Sequence, residues 1–205
     1  RKESSAASDV YKRQSLSITG GEPMLSLKSV KEYVVPLLKY AHERGVRTQV
    51  NSNLTLDIGR YELIIPYLDV LHISHNWGTV EDFAEIGFAM MDKKPTFTQR
   101  ARYFEKMIEN SRTLVDEGVM VSAETMLNKR TLPHIEHIHR QIVEDMKCQR
   151  HEVHPMYPSD FASALESLSL QDMRKAIHRL LDIRDENTWM LFGTLPFYAC
   201  SPDPV

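Results

Sequence analysis

Residues 15–23 read SLSITGGEP, a short run of alternating apolar and hydroxyl side chains that stops at two glycines, an acid and a proline. The alternation predicts a β-strand over Leu16 to Thr19. Gly20 and Gly21 let the backbone approach a ligand with no Cβ in the way, and Pro23 stiffens the exit. Glu22 sets an anionic acceptor beside them, so the corner suits a cation better than a phosphate. It lacks the Lys-Ser/Thr of a P-loop and the third glycine of a dinucleotide fingerprint, and both of those readings fail. A lone Gly-Gly is more often just a tight turn, so its meaning depends on what the rest of the chain brings to it.

Working outward, strand-like runs recur at Val46 to Val50, Val70 to Ser74, Val119 to Thr125 and Glu152 to Met156, each followed by a polar loop and a segment of helical period. Ser29 with Glu32 reads as a capping box for a helix burying Val30, Val34, Leu37, Leu38 and Ala41, with Pro36 as a kink. Thr98 is the expected cap of a second helix, whose apolar face is Phe104, Met107, Ile108, Leu114 and Val115. A third starts at Thr131 with Pro133 in its first turn and buries Ile135, Ile138 and Ile142. A fourth opens at Ser169 with Asp172, and a shorter one, capped at Thr79, is inserted before Lys94. Strands alternating with one-faced helices imply parallel βαβ units in an α/β fold. Periodicity alone leaves an open doubly wound sheet and part of a closed barrel both standing.

Ligands of parallel α/β sheets gather at the carboxyl ends of the strands. Here those ends read Gly20-Gly21-Glu22-Pro23, Asn51-Ser52-Asn53, Ser74-His75-Asn76, Thr125 to Asn128 and His154 to Pro158. Any one Asn or Ser is commonly a turn or cap residue. Four polar ends beside a Gly-Gly-Glu-Pro corner point instead to a shared site.

The Gly20-Gly21-Glu22-Pro23 corner, followed by Asn51-Ser52-Asn53 at the next strand end, resembles the radical S-adenosylmethionine (SAM) superfamily downstream of its cluster-binding loop. The stretch from Ser15 to about Pro202, with LHISHNWGT, SAETMLNKRTLPHIEHI, EVHPMYPSD and TLPFYACSP, further resembles the radical SAM subfamily with a C-terminal CxCxxxxC motif (YfkAB-type). The resemblance implies a partial (β/α) barrel, a parallel sheet with covering helices whose first strand is missing. It implies that Gly20, Gly21, Glu22 and Pro23 hold the SAM ammonium, that Asn51 and Asn53 make polar contacts nearby, that Ser74 meets the ribose, and that Met156 and Tyr157 surround the adenine. It also implies a [4Fe-4S] cluster, an electron donor, a small-molecule or still unknown substrate, and reductive cleavage of SAM to a 5′-deoxyadenosyl radical. The CxxxCxxC cluster loop and the CxCxxxxC motif are both absent from this sequence. The expectation is therefore a fragment that has lost both metal segments, or else a degenerate homologue, and in either case a chain that is inactive by itself. The competing reading, from a different class, is a non-catalytic α/β module that binds a small polar metabolite at the strand ends.

At 205 residues, 42% hydrophobic and 26% charged, the chain has the composition of a globular domain rather than a disordered one. Twenty-five basic against 28 acidic residues give a net charge of -3, which offers nucleic acid no attracting field. There is no run approaching the ~18 apolar residues of a membrane span and no signal-peptide core, so a cytoplasmic address is expected. Residues 1–14 contain DVYKRQ, which resembles a translated sequencing adapter, and are expected to be a non-native leader to a core over 15–205. Cys148 and Cys200 match no metal spacing. His134, His137 and His139 are expected to face solvent, His75 and His154 to line the site, and the methionines, Met90-Met91 included, to fill the core. No metal ligand is assigned.

Overall fold

In the computed structural model, residues 14–156 and 168–193 are described. Six parallel strands pair in chain order: β1 (Ser15–Ile18), β2 (Arg47–Asn51), β3 (Val70–Ser74), β4 (Met120–Leu127), β5 (Arg150–Pro155) and β6 (Trp189–Phe192). The sheet is open among the described residues, with β1 and β6 at its edges. Five strands lie within one or two residues of their expected spans. β6 was not expected, because its four residues follow a polar turn and carry no flanking glycine or proline on the N-terminal side.

The helical connections are α1 (Leu27–Ser29), a π turn (Val30–Val34) and α2 (Val35–His42) between β1 and β2; α3 (Ile58–Glu62) and a 3-10 turn (Ile65–Tyr67) before β3; α4 (Val80–Ile86) and α5 (Phe97–Asp116) before β4. A 3-10 turn (Leu132–His134), α6 (Ile135–Arg140) and a π turn (Gln141–Asp145) precede β5, and α7 (Leu170–Asp182) precedes β6. The first helix begins one turn earlier than expected. Ser26 is its cap, accepting from the Ser29 amide, so the Ser29/Glu32 box does not form. The wide π turn just before Pro36 takes the strain that the missing proline N–H would put on a regular helix, and it turns Leu37 outward to 51% exposure. The cap of α5 is Thr96, in a capping box with Gln99, rather than the expected Thr98. Thr79 and Ser169 cap α4 and α7 as their sequences indicate.

Period-two alternation divides the sheet into two unlike faces. One carries Val50, Leu71, Ile73, Val121, Ala123 and Val153, all fully buried against the helices. The other carries His72, Ser74, Ser122, Glu124, Arg150 and Glu152, which the strand register sets in two lateral rows: His72 beside Ser122 beside Arg150, and Ser74 beside Glu124 beside Glu152. A sheet apolar on its helix-covered side and polar on the other has the division of faces that a partial barrel requires.

Three expectations are corrected here. His139 is 2% exposed, not at the surface: its Nδ1 meets Nδ1 of His151 at 2.9 Å across the boundary between α6 and β5. Met90 is 91% exposed, because it lies in the loop after α4 and not on a packed face. His75 follows Ser74 on the opposite parity, so its ring enters the helix-side core, fully buried, with Nε2 at 2.7 Å from Gln141 Oε1.

Candidate functional site

The corner after β1 and the end of β2 are tied by one carboxylate. Glu22 Oε1 accepts from the Met24 amide at 3.0 Å and the Ser52 hydroxyl at 2.9 Å, while Oε2 accepts from the Asn53 amide at 2.8 Å. Since Ser52 spends its single hydroxyl proton on Glu22, its oxygen is the acceptor for the Tyr61 phenol at 3.0 Å and the Leu54 amide at 3.1 Å. Tyr61 is fully buried, and burial pushes its phenol up, so it stays a donor at any working pH. Arg60 on α3 donates to the Met24 carbonyl at 2.8 Å and also to that of Leu25. Asn110 on α5 donates to the carbonyls of Leu54 and Leu56, both at 2.8 Å, and holds Leu54 at a φ of 58°. That left-handed backbone costs on the order of 1 kcal/mol, which the surrounding bonds offset.

The arrangement leaves a cavity of about 320 Å³ lined by Thr19, Gly20, Gly21, Glu22, Asn51, Ser52, Asn53, His72 and Ser74. Gly20 and Gly21 adopt φ of 99° and 59°, and nothing lies within 4 Å of where their Cβ atoms would stand, so the glycines serve backbone shape at an open surface. Of the sequence-designated residues, Gly20, Gly21, Glu22, Asn51, Asn53 and Ser74 therefore share one space. Asn51 Oδ1 accepts from Gln49 Nε2 at 2.9 Å, and Asn53 Oδ1 accepts from the Thr55 amide and hydroxyl at 3.1 and 2.8 Å. Pro23 is not among the lining residues. Met156 is buried at the end of β5 and does not line this cavity, and Tyr157 lies outside the described residues. An apolar pocket of about 350 Å³ adjoins it, sharing Asn53 and Ser74 and walled by Trp77, Phe83, Phe88 and Tyr103.

The designation by strand ends missed His72, Glu124, Arg150 and Glu152. His72 Nε2 stands 3.1 Å from Glu124 Oε2, and hydrogen bonding to His72 holds the Glu124 carboxyl below its ordinary range. Arg150 Nη2 meets Glu152 Oε1 at 2.6 Å, and Arg150 Nε donates to Ser122 Oγ at 2.8 Å. His154 joins this group, with Nε2 3.5 Å from Glu152 Oε2, and Gly193 of the chain after β6 lies directly against its ring. The signal was available as polar residues two apart in VLHIS, VSAETM and RHEVH.

Nothing in the described residues fits a [4Fe-4S] cluster. The single described cysteine, Cys148, is 3% exposed on the helix side of the sheet, bonded to Ser111, and burial pushes its thiol up to about 12. A cluster needs several accessible thiolates.

Residues 156–205 match the family model of the YfkB-like domain. The chain is 91% identical over 195 residues to the protein YfkA of Bacillus subtilis (strain 168), a match over 95% of this chain that spans about half, 52%, of that relative's length. Among solved structures, SuiB of Streptococcus suis bound to S-adenosylmethionine superimposes with a TM-score of 0.63 at 18% identity, over 87% of this chain and 39% of SuiB. A domain of pyruvate-formate lyase-activating enzyme from Bacteroides vulgatus gives 0.63 at 13% identity, over 87% of this chain and 98% of that domain. The enzyme anSMEcpe with bound AdoMet gives 0.59 at 14% identity, over 89% of this chain and 50% of its own. Among the described residues no helix is long and apolar enough to cross a membrane. These neighbours are radical SAM enzymes, and the six-stranded parallel sheet described above has the partial-barrel fold that they share.

Proposed function

We propose that this chain is the SAM-binding portion of a radical SAM enzyme of the CxCxxxxC (YfkAB-type) subfamily, with the cluster and its cysteine loop supplied by sequence other than these 205 residues. The observation that carries the reading is the single cavity shared by Gly20, Gly21, Glu22, Asn51, Asn53 and Ser74. SAM, when bound, supplies the adenosyl group for radical chemistry. The chain's own part is to bind and orient it. A ligand bearing an ammonium and a sulfonium suits a corner where a carboxylate stands beside exposed backbone, because the negative potential is fixed before the ligand arrives. Glu22, bonded to Met24, Ser52 and Asn53, fixes the two loops against each other, and Oε2, with one donor only, keeps a lone pair for the SAM ammonium. Ser74, exposed at the mouth, is suited to a ribose hydroxyl, and Met156 with Tyr157 is assigned to the adenine from the family pattern. Two of the neighbours, SuiB and anSMEcpe, have been solved with SAM bound, which supports the same ligand here. Substrate and electron donor belong to the whole protein.

Calorimetric titration of the chain with SAM tests the site. Saturable binding is expected, weakened at least about tenfold in Glu22→Gln, the equivalent of one lost charge-assisted hydrogen bond. The amide variant must first be shown to remain folded at the titration temperature. No binding to the wild type, or equal binding to a folded Glu22→Gln, refutes the assignment. The isolated chain is expected to release no 5′-deoxyadenosine under anaerobic reducing conditions, and its detection would overturn that expectation.

A further inference from the structure

The polar face of the sheet carries a group of side chains that the SAM reading does not use. His72, Glu124 and Glu152 present ligand-type atoms all within 4.8 Å of one another. They come from three adjacent strands, β3, β4 and β5, so their separation is fixed by the sheet itself and not by a loop. His72 is 5% exposed, and its buried Nδ1 has no hydrogen-bond partner, although it stands 3.8 Å from Glu152 Oε1. A buried polar atom left unpaired in this way is unfavourable unless water or an ion completes it. His72 also lines the cavity between the β1 and β2 ends, which gives a cation a way in from solvent.

We propose that His72, Glu124 and Glu152 form a binding site for one divalent first-row transition-metal ion of the zinc type. One imidazole and two carboxylates are the donor set that such ions accept, and three protein ligands leave at least one position open. Donors around a tetrahedral zinc stand roughly 3.4 Å apart, so closing the present group requires side-chain shifts of about an ångström. Arg150 is part of the design: at 2.6 Å it pins Glu152 Oε1 and cancels one of the two negative charges. With that charge cancelled, the two carboxylates keep one negative charge between them, enough to attract a divalent ion without a permanent excess of unpaired acid. His154, 3.5 Å from Glu152 Oε2, stands ready as a second imidazole on the same carboxylate.

Metal-stripped chain titrated with Co²⁺, followed by its visible absorption, and then with Zn²⁺ in calorimetry tests the site. One equivalent is expected to bind, with Zn²⁺ displacing Co²⁺. His72→Ala and Glu124→Gln are each expected to weaken binding at least about tenfold, since even supporting residues of metal sites have effects of that size. His137→Ala, an exposed histidine on α6, is expected to bind as the wild type does. Glu124→Gln is the same size and half-exposed, and so keeps the fold if His72→Ala does not. Absence of saturable binding, or equal affinity in folded Glu124→Gln and wild type, overturns the proposal. Neither readout involves SAM, so this site and the SAM cavity succeed or fail separately.

Discussion

Acid should unfold this protein through its buried histidines before it does so through its surface. His75 is fully buried and lies edge-on to the Phe104 ring with centroids 6.1 Å apart. Gln141 Oε1 can only accept, so the 2.7 Å bond fixes the proton on His75 Nε2 and leaves Nδ1 bare and unpartnered. A second proton would have to sit on that Nδ1 with no acceptor, and burial accordingly lowers the pKa from 6.5 to about 4. In the unfolded chain the same ring takes its proton near 6.5. The unfolded state therefore binds more protons below that pH, and stability, complete above about 6.5, falls until the pH reaches about 4. The gap corresponds to roughly 3 kcal/mol, a large fraction of a typical domain's stability. His151 adds in the same direction. The Thr125 hydroxyl donates to the His75 carbonyl, so its oxygen accepts from His151 Nε2 at 3.0 Å, and His151 Nδ1 must accept from His139; protonating His151 sets two protons facing each other. Burial holds His151 well below its ordinary value. Urea unfolding at intervals from pH 7.5 to 4.5 measures the loss, and the slope for wild type should exceed that of His75→Gln by about 1.1 kcal/mol per pH unit between 6 and 4.5. Equal slopes, or an NMR titration in which His75 of the folded chain protonates near 6.5, would refute the reasoning.

Two further substitutions probe the scaffold of the cavity. Asn110→Ala removes both bonds that hold the Leu54 and Leu56 carbonyls and should cost about 2–4 kcal/mol in urea unfolding, with weaker SAM binding because the β2 end loosens; a loss under half a kilocalorie would show that the loop holds itself. Gly193→Ala would set a Cβ 2.2 Å from His154 Cε1, so it should destabilise by about 1–3 kcal/mol and shift the His154 ring resonances, whereas an unchanged spectrum would mean that the β6 end lies elsewhere.

Much of the fold was legible because its signals are local. The strand at β3 was bounded correctly by its own five residues, and Ser169 with Asp172 marked the start of α7 through a bond spanning three positions. Errors came where a neighbour decided. Ser29 has the composition of a cap, yet Ser26 takes that role because a π turn accommodates Pro36. PHIEHIHR suggests a solvent face for all three histidines, and His139 is buried because His151, twelve residues later, offers it a partner.

The sequence by itself determined that strands and helices alternate, that glycine, acid and amide residues stop the first two strands, and that no cluster-type cysteine spacing is present. Each is a property of adjacent residues, carried by propensity, spacing and composition. Only the tertiary structure decided that Glu22 reaches across thirty positions to Ser52 and Asn53, that His75 leaves the site for the core while His72 joins it, and that Glu124 and Glu152 stand beside His72. Those depend on strand register and on which parity faces the helices, and a shift of one residue in a strand would reverse every one of them.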